Sequence, residues 1–161
     1  MKSTNYLAPV ALLVTLLTYS GCSDKAAPPV SVKDTQLKAL SKTWKCTAAT
    51  LQSTAQPVYV PNFTLTISGT PGNATFGYTT TGRPPGLKSS PWPASGTFTF
   101  GTDPSTQINR DDLTPPPNSV PLPVTYSVSS TQLQLTFQYG GPGFDGRTGA
   151  VTGQWVFTFG L

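Results

Sequence analysis

The 161-residue chain contains no histidine and no glutamate, and its six carboxylate side chains are all aspartates. It holds two cysteines and one methionine, and 10% of its residues are charged, against roughly 25% in an average soluble domain. Each shortage removes a chemistry. Catalytic triads and the common zinc sites draw on histidine, which is missing. Glycoside hydrolysis needs two carboxyl groups flanking one bond; the adjacent pair here is Asp111 and Asp112, and neighbours on an extended strand face opposite ways. The glycine-rich "GGPGFDGR" at 140–147 places no lysine at a helix start, as a phosphate-binding loop requires. The ten basic residues form no run that would track a phosphate backbone, which argues against nucleic acid. These shortages predict a protein that is not an enzyme and needs no cofactor or metal.

What the chain does have begins with Met1-Lys2 and an apolar run at 7–17, "LAPVALLVTLL". That is the length of a signal-peptide core and too short for a bilayer span of about 20 residues. Ser20 and Gly21 then precede Cys22, with Tyr19 before them. This segment resembles the lipobox of bacterial lipoproteins. The resemblance implies cleavage after residue 21 and acylation of Cys22, and Ser23 in place of aspartate implies the outer membrane. Residues 22–33 ("CSDKAAPPVSVK") read as the acylated cysteine and a polar, proline-containing tether. Membrane attachment through the N-terminal lipid is the expected partnership, and Cys46 is then left without a disulfide partner.

From residue 34 to 161 the chain is long enough to bury a core without disulfides or metals. "DTQLKAL" at 34–40 predicts two helical turns with Asp34 as N-cap and Leu37 and Leu40 on one face. After it the period is two. "WKCTAATL" (44–51), "FTLTIS" (63–68), "TFGYT" (75–79), "TFTF" (97–100), "QINR" (107–110), "VTYSV" (124–128), "LQLTFQY" (133–139) and "WVFTF" (155–159) give about eight strands. Each sets apolar residues on one face and Thr, Ser or Gln on the other, so the sheet is antiparallel with one wet side. The fold class is all-β: an up-and-down barrel, or a two-sheet sandwich with the same local pattern. Short sequential connections favour the barrel.

The segments "LSKTWKC" (40–46), "PWPASGTFTF" (91–100), "TQLQLTF" (131–137) and "GQWVFTF" (153–159) resemble the lipocalin-like domains of lipoproteins from Bacteroidetes-type bacteria. Lys42 stands where true lipocalins have the glycine of Gly-x-Trp. The resemblance implies a barrel entered through a short helix, with Trp44 packed at its base, and it brings no assigned activity.

Strand parity turns Cys46 to the same side as Trp44, which predicts a buried thiol, and Trp155 opens the last strand. Tyr78, Tyr126 and the many phenylalanines read as inward-facing: either the wall of a cavity for a small apolar or amphipathic ligand, or a barrel filled by its own rings. Trp92, between Pro91 and Pro93 in the loop at 83–96, has two readings as well. It is an exposed platform for a glycan or protein, with Tyr59 as a second exposed contact, or a lid folded over the barrel mouth. Asp103, Asp111 and Asp112 read as solvated turns before "TPPP", with no spacing of a known calcium loop. The sequons at Asn62 and Asn73 match an acceptor pattern of secreted eukaryotic proteins, which a bacterial leader makes irrelevant. A third function is a structural envelope component without a ligand.

Overall fold

A computed structural model describes residues 29–84, 90–111, 120–141 and 151–161. The leader, Cys22, most of the tether, Asp112 and residues 142–147 of the glycine-rich segment lie outside the described residues.

The helix α1 spans Val32–Leu40 and buries Leu37 and Leu40, as their spacing predicts. Its cap differs from the expectation. Ser31, in an extended conformation, accepts the Asp34 N–H on its Oγ at 3.0 Å. Asp34 therefore sits inside the first turn, and its carboxylate is free to accept the Gly72 N–H at 2.9 Å.

Nine strands follow among the described residues: β1 (Thr43–Leu51), β2 (Thr54–Ala55), β3 (Thr64–Ser68), β4 (Phe76–Thr81), β5 (Ser95–Phe100), β6 (Gln107–Arg110), β7 (Leu122–Val128), β8 (Gln132–Tyr139) and β9 (Gly153–Gly160). The two-residue β2 folds back on β1. The other eight pair antiparallel in chain order, and β1 pairs with β9 from Lys45↔Gly160 to Leu51↔Trp155. The sheet closes on itself, so the architecture is the lipocalin-like up-and-down barrel and not the sandwich. Closure leaves the eight wall strands with neighbours on both sides, which removes most of the edge problem of an open sheet.

Alternation holds along β7 and β8, where Leu122, Val124 and Tyr126, then Leu133, Leu135, Phe137 and Tyr139, are buried. Outward positions are largely hydroxyls, some paired across strands, as in Thr43 with Thr66 at 3.0 Å and Thr64 with Thr81 at 2.6 Å. Parity breaks once. The register between β1 and β9 shifts between Cys46 and Ala48, a bulge in which Thr47 is the extra residue. Beyond it the buried position of β1 moves to Ala49.

Because the strands alternate in direction, the connections sort onto two ends. α1 and the turns 69–75, 101–106 and 129–131 occupy one end; the connections 52–63, 82–94, 111–121 and 140–152 leave from the other. α1 is tied to each of its three turns, through Asp34 to Gly72, Gln36 to Tyr126 beside Pro104, and Lys42 just beyond the helix to the Ser130 carbonyl at 2.8 Å.

Candidate functional site at the barrel mouth

The end opposite α1 is where a barrel of this kind would admit a ligand, and two aromatic side chains from outside the main strands fill it. Tyr59 belongs to a 3₁₀ turn, Pro57–Tyr59, whose first-turn proline suits a position with no donor to satisfy. The Tyr59 carbonyl then accepts the Phe63 N–H at 3.0 Å, and the ring meets Phe63, Trp155 and Phe157 edge-on, with centroids 5.1–5.7 Å apart.

Trp92 comes from the connection between β4 and β5. Thr80 holds the segment before β5 by donating its Oγ1 to the Pro93 carbonyl at 2.5 Å and its N–H to the Ala94 carbonyl at 2.8 Å. The Ser90 Oγ accepts the Trp92 N–H at 3.1 Å. Between these fixings the indole is 2% exposed, edge-on to Tyr78, Phe137 and Phe157 with centroids 5.5–5.9 Å apart. The Arg110 guanidinium, wholly buried, lies 4.0 Å from the indole centroid and donates Nη2 to the Pro91 carbonyl at 3.1 Å. A cation stacked on an indole away from water is attracted by about 2 kcal/mol.

The exposed-platform reading of Trp92 is therefore corrected. Flanking prolines stiffen the turn, and the ring points inward, where the rings of Phe63, Tyr78, Phe137 and Phe157 and a cation receive it; an indole in solvent would forgo all of these contacts. Tyr59, expected as a second exposed contact, is likewise buried at 1%. The lid reading matches what is seen.

Tyr78 and Tyr126 are buried as parity indicates, but they do not line an open chamber. Among the described residues the interior void between Leu65, Tyr78, Trp92, Ile108 and Arg110 measures about 10 Å³. That is at the limit for one water molecule, whereas ligand pockets run to hundreds of Å³. Tyr126 lies at the α1 end, its hydroxyl shared between the Pro104 carbonyl and Gln36 Oε1 at 3.2 Å. Burial and the charge of Asp103 raise its pKa.

Cys46 is buried, its Sγ 3.4 Å from the Ala48 carbonyl at the bulge. Burial pushes its pKa up to about 11, so the nucleophilic thiolate is scarce at neutral pH. Trp44 donates Nε1 to the Leu40 carbonyl at 2.8 Å beneath α1, and Trp155 donates to the Val151 carbonyl at 2.7 Å. Asp103 uses its carboxylate within its own turn, accepting from the Ser105 N–H and Thr106 Oγ1 at 2.9 and 2.8 Å. Those two bonds lower its pKa. Asp111 is exposed, as are Asn62 and Asn73.

Arg110 is the residue that sequence reasoning passed over as one of many scattered charges. A signal was present: Ile108 and Arg110 are two apart on β6, so an inward Ile108 sets Arg110 inward too. Among the described residues, fold and mouth together define a helix-capped barrel whose interior is packed with its own rings. No family model, no curated protein and no solved structure matches the chain.

Proposed function

We propose that this chain is a non-catalytic lipoprotein of the bacterial outer membrane, a lipocalin-like barrel held by acyl chains on Cys22 that presents its loop end to a glycan or protein partner. One observation carries the reading. The N-terminal segment meets the barrel at the end capped by α1, and the four long connections leave from the opposite end. An anchor upstream of α1 therefore attaches the helix-capped end to the membrane and leaves those connections at the end away from the attachment point. Exposed Val60 and Val120 lie on that outward side. The lack of histidine and glutamate supports a binding role over a catalytic one.

Metabolic labelling with an alkyne fatty acid tests the anchor. The mature protein carries the label and sediments with envelopes, and Cys22→Ala loses both; an unlabelled protein beginning at Met1 overturns the reading. Val60→Asp with Val120→Asp then lowers binding to a glycan array or to a captured envelope protein without moving the melting temperature. Unchanged binding removes the loop end from the proposal.

A second reading, an amphipathic ligand within the barrel, is favoured by one detail: among the described residues the buried Trp92 Nε1 meets no acceptor, a cost that an entering ligand oxygen would relieve. It requires the Trp92 segment to swing out. Native mass spectrometry of protein drawn from envelopes decides it, since a ligand-free mass excludes this reading.

A further inference from the structure

Side chains suited to a lipid surface gather at the α1 end. All four described lysines, Lys33, Lys38, Lys42 and Lys45, lie on α1 or the first residues after it. The described arginines, Arg83 and Arg110, lie toward the loop end. Facing the lysines are two described carboxylates, Asp34 and Asp103, each already accepting backbone N–H groups of its own end.

The same end exposes apolar surface. Val30, Val32 and Leu161 are 75%, 55% and 58% exposed. While α1 turns Leu37 and Leu40 into the barrel, it leaves Val32, Thr35 and Lys38 on its outward side. Beside it runs an open groove of about 590 Å³ between α1 and the 69–71 turn, bordered by Val30, Leu37, Lys38 and Pro71.

We propose that this end is a membrane-contact surface that docks on anionic lipid headgroups, with the valines at the headgroup–acyl boundary and Lys33 and Lys38 over the phosphates, Lys42 being held to the Ser130 carbonyl. A short stretch of amphipathic surface binds lipid through buried apolar area plus electrostatic attraction, and each basic residue near an anionic surface strengthens binding roughly fivefold. The inference deepens the anchored-barrel reading and rests on it: the tether sets the barrel within reach of the bilayer, and this surface fixes its orientation there. A barrel on a tether alone would tumble; a docked one holds its loops at a constant height.

The full-length protein purified from bacterial envelopes is mixed with neutral phosphatidylcholine vesicles or vesicles containing phosphatidylglycerol and floated on a density gradient, with an environment-sensitive fluorophore on Thr35→Cys or, at the loop end, Thr54→Cys. Cys46 is buried and does not compete for the label. Docking shifts the Thr35 probe to the blue on anionic vesicles alone, and high salt or Lys33→Gln with Lys38→Gln reverses the shift. The Thr54 probe stays unchanged in every case. Flotation on neutral vesicles without a lipid-dependent shift at Thr35 overturns the docking surface and keeps the anchor. Flotation on anionic vesicles alone keeps the docking surface and overturns the anchor, and flotation with neither overturns both.

Discussion

Trp92 shows how one side chain's position rewrites a functional argument. As an exposed platform it would be removable at almost no cost; as a plug against four rings and Arg110 it belongs to the core. Trp92→Ala is expected to lower unfolding stability by about 3–5 kcal/mol in urea titrations, and a loss under about 1 kcal/mol would contradict the plug. Arg110→Ala is expected to cost about 2–4 kcal/mol, since it leaves a hole beneath the indole and an unmet carbonyl at Pro91. Cys46 supplies a pH test. An unfolded thiol ionises near 9.0 and the buried one at about 11, so the unfolded state loses the proton first. Stability is full below pH 9 and falls as pH rises toward 11, by roughly 2 kcal/mol. Tyr59, pushed up to about 12, acts the same way from pH 10, so the measurement is the difference between the parent and Cys46→Ala across that window. Sequence could set Cys46 inward by parity with Trp44. It could not set Trp92, because a ring between two prolines obeys no period, and its direction depends on contacts far away in the chain.

At the level of elements, the eight wall strands were legible because each alternates apolar with hydroxyl-bearing residues, and alternation survives in one sequence without relatives to compare. Three features were not. The bulge at Thr47 is a register relation between β1 and β9, and no single strand carries it. The helix cap fell to Ser31 because Asp34 has a competing acceptor role toward Gly72, a contact across 38 positions. The 3₁₀ turn and β2 are too short for periodicity to register. Ser31→Ala should lower stability by about 1 kcal/mol. Asp34 belongs to the same clamp: the Gly72 N–H holds its carboxyl below the usual range, so this contribution is present at neutral pH and lost as pH falls below about 4. Asp34→Asn is expected to flatten the acid limb of the stability profile. Gly82 joins the two mouth segments, with φ +64 and an added Cβ only 1.8 Å from the Asn62 carbonyl oxygen. Gly82→Ala must displace one of them, and its melting temperature is expected to drop by several degrees.

For the whole molecule, the seam between β1 and β9 dominates. Pairing Lys45 with Gly160 joins residues more than 100 positions apart, so the ring cannot close until nearly all the chain has been placed. Non-local all-β topologies fold in milliseconds to seconds, and stopped-flow refolding monitored by tryptophan fluorescence is expected in that range; completion within microseconds would mean that closure is not limiting. The same seam governs how the molecule bears force. A pull applied upstream of residue 29 arrives at α1, which its three clamped turns resist, and then at β1, which is gripped by β9 on one flank and β3 on the other. Such a load runs along the strand and strains many hydrogen bonds together instead of unzipping them one by one. With the anchor proposed above, drag on the domain is therefore shared by the whole length of the strand and its two flanking ladders.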